Sequence, residues 1–459
     1  MAKFGKLTVA GIAVFALLQC VRPGIPAGPA TAEIQAPANV KQILDKGCYS
    51  CHSSQLRLAW FDQVVPVYWL VRHDILTARQ HLNFSTLGSK PAAVQKATLY
   101  EAVNMIQLGA MPLPSFAKVH PEARITPEEL AVIKAYLDPW TTVPDLVQRL
   151  SGAGNAEGHS TPAAAASART SLSSVLPEFD SFPFDPDFEN WKLISTTDRG
   201  DNNTFRFILG NEIAVRAAQS GNIFPWPDGT RFAKIAWQLE RSPDGLIYPA
   251  KFYQVELMVK DARRYRSTDG WGWGRWRGLD LKPYGADAGF VQECTGCHMP
   301  MRGDDAVFTL PISRAHSDRD ELVNNRAASL PASLPWQPLN WSAVTMLVDP
   351  ANRTTATLYA NEPAAHAVNP RVDSAEPPAY PKGAVLALVT WAQRDDPHWF
   401  GARIPDRPES VEFVEVGGDA KPGGYRRFDG SALAEDRPAP ATAAGRMRFI
   451  INLPPAPMP

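Results

Sequence analysis

The sequence predicts a multidomain α + β protein: a small α-helical domain followed by two antiparallel β-sheet domains. Three observations predict it. Between about Val40 and Trp140, apolar residues recur at helix spacing, as in Leu130, Ile133 and Leu137. Beyond about residue 177 they alternate as strands do, with Phe205, Phe207 and Leu209 set against Thr204, Arg206 and Ile208. The second half also repeats itself at an offset near 150 residues.

The bulk numbers bound the problem. The chain has 459 residues, enough for two to four domains, and an ordinary soluble balance of 45% hydrophobic and 20% charged residues. Its formal net charge of −1 gives no strong field for nucleic acid or an acidic substrate. The 42 prolines and 13 tryptophans suit loop-rich, strand-rich domains better than helical bundles.

Residues 1–37 read as a signal peptide or membrane anchor. Lys3 and Lys6 precede an apolar run from Leu7 to Leu18, which has the length of a signal-peptide core and is short for a span. Cys20 is the odd cysteine; an unmodified thiol is favoured over a lipidated residue, because Gln19 suits a lipidation site poorly. Ala30-Thr31-Ala32 offers an alternative cleavage site.

The helical domain, 38–142, opens with Cys48-Tyr49-Ser50-Cys51-His52. Two cysteines separated by two residues, then histidine, form an attachment site for c-type haem. The thiols add to the haem vinyl groups and the histidine ligates iron. The same spacing returns at Cys294-Thr295-Gly296-Cys297-His298. A zinc site or a disulfide is the competing reading of one copy. Two copies that use four of the five cysteines leave it little room. Because c-type haem is attached outside the bacterial cytoplasm, export to the periplasm is expected, with the N-terminal segment as an anchor in the inner membrane.

Gly109-Ala110-Met111-Pro112-Leu113-Pro114 lies about sixty residues after His52, where small c-type cytochromes place their second iron ligand. The thioether of Met111 is soft, and the flanking prolines stiffen the loop. Met105 is the competing core methionine, and His73 and His120 are rival ligands. Thr126-Pro127-Glu128-Glu129 starts the last helix of the domain.

This segment resembles the bacterial haem-binding domain family of small c-type cytochromes. The residues that carry the resemblance are Cys48–His52, Pro66 to Val71, His73, Leu82-Asn83-Phe84-Ser85, Met111-Pro112 and His120-Pro121. It covers roughly residues 20 to 140 and implies an electron-transfer cytochrome, with His52 and Met111 as axial ligands.

Residues 143–176 are rich in Ala, Ser, Gly and Thr and read as a flexible linker. Then the repeat begins. Asn190-Trp191 returns as Asn340-Trp341, Gly210-Asn211-Glu212 as Ala360-Asn361-Glu362, Trp237 as Trp391, and Val255-Glu256-Leu257 as Val411-Glu412-Phe413. Leu310-Pro311 parallels Leu453-Pro454 at a smaller offset. The second copy has therefore lost the stretch that holds Cys294 to His298, and it contains no cysteine. The boundaries expected are 177–317 for the first copy and 318–459 for a degenerate, haemless second copy.

The first copy resembles cytochrome P-460 over about residues 185 to 312. The matching residues include Ile208-Leu209-Gly210-Asn211, Trp226 to Thr230, Phe232-Ala233-Lys234, Gly270 to Trp273, Lys282 to Gly285 and Glu293 to His298. The resemblance implies a mostly β fold, often a homodimer, and a five-coordinate haem cross-linked to a lysine, here Lys234. It implies oxidation of hydroxylamine, with nitric oxide and nitrous oxide chemistry. The related cytochrome c′-beta branch shares the fold, lacks the cross-link and binds small gases.

Lys234 aligns with Leu388 of the second copy, so its position points inward, where an unpaired ammonium is costly. A strand-end lysine reaching to water is the competing reading. Arg206 aligns with Ala356; it is either a hydrogen-bond donor over an open iron face or a surface strand arginine. Glu256 recurs as Glu412 and reads as structural. Asp287 and Glu293 flank the attachment segment and are the carboxylates expected to relay protons. Met299 and Met301 sit too close to His298 to cross to the opposite face and read as packing residues.

The sequence thus leads to a periplasmic dihaem cytochrome. The second haem oxidises a small nitrogenous substrate and the first, His/Met-ligated, passes electrons to a redox partner cytochrome or a quinone-linked acceptor. The alternative is a nitric oxide-binding or sensing protein of the c′-beta kind without turnover. No nucleic acid is expected as a partner.

Overall fold

A computed structural model of the chain describes residues 2–137, 171–287, 289–312, 325–368, 379–417 and 422–459. The chain divides into two compact units, 1–146 and 147–459. Most of the expected linker, and the expected boundary at 317/318, lie outside the described residues. Of the linker only 171–176 is described, and there Leu172 is already buried in the β core.

The first unit is helical, as its periodicity requires. A helix at Ala38–Gly47 leads into the short helix Tyr49–His52. Helices Val67–His81, Ala92–Gln107 and Pro127–Leu137 complete the frame. Thr126 starts the last of these with reciprocal bonds: its Oγ1 accepts from the Glu129 N–H at 3.3 Å, and the Glu129 carboxylate accepts from the Thr126 N–H at 2.9 Å.

The unit begins earlier than residue 38. Gln19 exchanges two side-chain bonds with the Val65 backbone, Tyr68 Oη donates to the Pro23 carbonyl at 2.5 Å, and Ile34 is fully buried. Residues 19–34 therefore belong to the domain's packing. The helix Ala2–Leu18 precedes them, and among the described residues no helix is long and apolar enough to cross a membrane.

The second unit is antiparallel β, as expected, and its two copies share their sheet. One antiparallel sheet of twelve strands runs through both. The first copy contributes β1 (Lys192–Arg199), β2 (Thr204–Gly210), β3 (Arg231–Arg241), β4 (Ile247–Lys260), β5 (Trp271–Arg277) and β6 (Lys282–Pro283). The second contributes β7 (Ser342–Asp349), β8 (Thr354–Ala360), β9 (Val385–Asp395), β10 (Ala402–Val416), β11 (Pro422–Asp429) and β12 (Ala434–Asp436).

Strands β1 to β4 and β7 to β10 follow one another, and β10 pairs back to β1, so these strands close into a ring. One seam pairs Ile247 with Val348; the other pairs Arg403 with Asp198. These seams are equivalent under the repeat. Closure removes the exposed edges that an open sheet would present to other chains.

Every ring strand is buried on both faces. The inner face holds Phe205, Trp237, Val255, Trp391 and Phe413 in one core shared by the two copies. The outer face of the first copy carries Ile208, Phe232, Met258 and Trp273, covered by helix Gly289–His298 through Phe290 and Cys294. The outer face of the second copy carries Leu358, Leu388 and Val414, covered by helix Pro440–Ile451 through Ile450. Asn211 and Asn361 cap equivalent helices, accepting from the Ala214 and Ala364 N–H groups.

Candidate functional site

In the helical unit, Cys48, Cys51 and His52 are half-buried around a single turn. The segment Leu82–Ser85 wraps this turn. His52 Nδ1 donates to the Leu82 carbonyl at 3.1 Å, and Phe84 stacks on Tyr49 at 5.3 Å between centroids. A carbonyl only accepts, so the proton sits on Nδ1 and leaves Nε2 with its lone pair for a metal. Burial pushes the Cys48 thiol up to about 12 and Cys51 up to about 11, so neither is a reactive thiolate in the protein alone.

Met111 lies in the loop after helix Ala92–Gln107, its N–H donating to the Met105 carbonyl at 3.1 Å. His73 is exposed. His120 is buried with both ring nitrogens engaged: Nε2 is 3.1 Å from Asp62 Oδ1 and Nδ1 is 3.1 Å from Glu122 Oε1. That leaves no nitrogen to ligate iron, which removes His120 as a rival of Met111.

Burial disfavours charge on His120, but the bonds to Asp62 and Glu122 outweigh it and raise the pKa. A raised folded pKa adds stability below the unfolded value near 6.5, lost as pH rises through the folded pKa. We expect amides around Asp62, such as Ala59 N–H, which donates to Asp62 Oδ2 at 2.9 Å, to exchange faster above that pKa. Protection that is flat with pH, after correction for intrinsic exchange, would contradict this.

In the β unit the strand register assembles the second site. Lys234 on β3 stands beside Glu256 on β4, which stands beside Arg275 on β5. Arg206 on β2 lies on the same outer face, two residues before Ile208, the cross-strand partner of Lys234. Lys234 Nζ pairs with Glu256 Oε2, and Arg275 Nε lies 3.2 Å from Glu256 Oε1. Arg275 Nη1 then reaches Glu293 Oε1 at 2.6 Å, on the helix that carries Cys294 and Cys297. Tyr284 Oη donates to Glu293 Oε2 at 3.3 Å.

Burial dominates the electrostatics. It lowers Lys234 to about 8, against the favourable charge of Glu256, and lowers Arg206 to about 9. Burial pushes the Glu256 carboxyl upward, but Lys234, Arg275 and Arg206 outweigh it and hold Glu256 far below the usual carboxylate range. Cys294 is raised to about 12 by burial.

His298 repeats the geometry of His52. Its Nδ1 donates to the Ala306 carbonyl at 2.8 Å, and burial lowers the ring to about 4, so the imidazole is neutral with Nε2 available. Trp273 lies 5.5 Å from it, ring to ring. Arg206 Nε, Trp271 Nε1 and Trp273 Nε1 are buried donors on this face without hydrogen-bond partners. Orphaned donors, two cysteines outside any disulfide and a neutral imidazole form a residue set that fits a haem at this motif. Met299 and Met301 pack: Met301 is buried and Met299 lies against the outer-face cluster.

The expected proton carboxylates separate. Glu293 joins the network through Arg275. Asp287 is exposed, and its Oδ1 accepts from the Gly289 N–H at 2.8 Å. Arg275 was not singled out by sequence, and Glu256 was read only as structural. Their signal was the register: Glu256 and Arg275 become neighbours of Lys234 once the three strands are paired.

The second copy shows what the face becomes without the attachment segment. Leu388 and Ala356 are buried, and Glu412 pairs with Arg446 from the covering helix at 2.6 Å. Among the described residues no three His, Cys, Asp or Glu side chains are arranged to hold a metal ion.

Residues 11–139 match the family model described as a haem-binding domain, and residues 185–309 match that of cytochrome P460. A search among curated proteins finds no match. The two matches bear out the expected fusion of a helical haem-binding segment with a P460 segment, and they support a haem cytochrome.

Proposed function

We propose that this protein is a periplasmic dihaem c-type cytochrome that oxidises hydroxylamine at the Cys294–His298 site and passes electrons on through the Cys48–His52 site. The observation that carries the reading is the half-buried Lys234, held on the sheet face that the attachment helix covers. An amine lowered to about 8 by burial has a neutral, nucleophilic fraction near neutral pH. A cross-link of Lys234 to a bound haem would exchange one N–H and one ring C–H for a C–N bond. That is a two-electron oxidation, with an oxidant of the peroxide class taking up the electrons and protons.

Haem bound at Cys294 and Cys297 supplies an iron that accepts electrons from a nitrogenous ligand. The protein does the rest. His298 offers neutral Nε2 and is held by the Ala306 carbonyl. Arg206 brings a buried, unpartnered Nε–H that can hydrogen-bond a ligand carrying partial negative charge. Glu256 fixes Lys234 and Arg275 in place, and Glu293, on the more open side, can take a proton toward solvent.

A second reading has its own support. Lys234 is already paired with Glu256, and a lysine satisfied in that way need not bond to haem. The protein would then bind nitric oxide without turnover. Hydroxylamine added to the oxidised holoprotein separates the two. Reduction of the low-spin haem at a rate that follows hydroxylamine concentration supports the enzyme; ligand-binding spectra with no reduction support the gas binder.

In the helical unit we assign Met111 as the second iron ligand beside His52. Met111→Ala should convert that haem to high spin or to a new ligand set, with loss of the sulfur-to-iron band. An unchanged low-spin spectrum would refute the assignment.

A further inference from the structure

From the second copy, the turn between β9 and β10 reaches the iron-ligand side of the first. This turn is well tied. Asp396 N–H donates to the Ala402 carbonyl at 2.9 Å, and Asp396 Oδ1 accepts from the His398 N–H at 2.9 Å. From it two side chains reach the loop that follows helix Gly289–His298.

His398 Nδ1 donates to the Phe308 carbonyl at 2.7 Å. The ring of Trp399 meets that of Phe308 edge-on at 5.6 Å, and Phe308 meets His298 edge-on at 5.2 Å. Two residues upstream, the Ala306 carbonyl accepts from His298 Nδ1. Trp399 is held from behind by the first copy: the Arg199 guanidinium lies 4.4 Å over its ring, and its Nε1 donates to Asp201 Oδ2 at 3.3 Å. Arg199 and Asp201 form a buried ion pair.

We propose that His398 and Trp399 of the haemless copy are positioning residues for His298. The inference rests on the reading of His298 as the iron ligand. A ligating histidine owes its basicity and ring orientation to the acceptor on its other nitrogen. Here that acceptor, the Ala306 carbonyl, sits on a short loop clamped by a hydrogen bond and a ring contact from the other copy. The second copy thus sets the strength of the iron–histidine bond. Loss of the clamp lets the carbonyl drift, lengthens the His298 bond to it and makes the imidazole a weaker donor to iron.

The test uses the full holoprotein carrying His398→Ala or Trp399→Phe, with haem counted by pyridine haemochrome. In both variants the ferrous iron–histidine stretching band of the five-coordinate haem should move to lower frequency, and its midpoint potential should rise. The low-spin haem should be unaffected. His398→Gln, which keeps a donor, should stay nearer the parent than His398→Ala. If His398→Ala does not fold, Trp399→Phe decides, because it keeps an aromatic ring in place. Unshifted band and potential with full haem content would overturn the proposal. Absence of haem from Cys294 and Cys297 in the parent would instead overturn the reading of the site, and the positioning role with it.

Discussion

Lys234→Leu should leave haem attached through Cys294 and Cys297 while sharply lowering the proposed hydroxylamine oxidation. The fold tolerates the change, because the second copy keeps a buried leucine at the equivalent place, Leu388 opposite Glu412 in the same register as Lys234 opposite Glu256. Glu256 is not left alone in the variant; Arg275 still pairs with it. What is lost is the nitrogen that would bond to the macrocycle, perturb its electronics and hold it against β3. Turnover should fall by about 100-fold or more, the scale of removing one preorganised electrostatic group from an active site. A red-shifted Soret band should vanish with it, while nitric oxide still binds. Parent-like turnover in Lys234→Leu would make the lysine an ordinary strand residue.

Glu256→Leu should be the most destabilising single change at the site. Glu256 is the carboxylate set among Lys234, Arg275 and Arg206. Its removal leaves Lys234 without its anion in a place only 26% exposed, and leaves Arg275 with Glu293 alone. Breaking a buried pair in this way costs about 3 kcal/mol or more. That corresponds to a melting shift of roughly 5 °C in a unit of this size. The double variant Lys234→Leu, Glu256→Leu should recover part of the loss, because it removes the stranded ammonium as well. A Glu256→Leu protein that melts with the parent would show that the network adds nothing to stability.

Much of this was legible in the chain. Alternation puts Lys234 on the face of Phe232, and the repeat identifies Leu388 as its haemless counterpart and Ala356 as that of Arg206. The attachment motifs announced themselves by spacing. Three things were not legible, each for a physical reason. Closure of the two copies into one ring rests on seams such as Arg403 with Asp198, pairings more than 200 residues apart that leave no local periodicity. The importance of Arg275 depends on strand register, which alternation within one strand does not give. The clamp of His398 and Trp399 comes from a turn, where neither helical nor strand pattern applies. The repeat reads Glu256 as scaffold from its recurrence as Glu412, and the carboxylate anchors an ion pair in each copy, with Lys234 in the first and Arg446 in the second. Asp287, near the motif in sequence, is exposed, and its Oδ1 accepts from the Gly289 N–H rather than joining the Arg275 network.

The central claim is that two haems are held by the two motifs and that the second is bonded a third time, to Lys234. Mass spectrometry of proteolytic haem peptides tests it most directly. The account requires one haem on the peptide with Cys48 and Cys51, and a second haem joining the peptide of Cys294 and Cys297 to the separate peptide of Lys234. A second haem found on Cys294 and Cys297 alone, with the Lys234 peptide recovered unmodified, would contradict it.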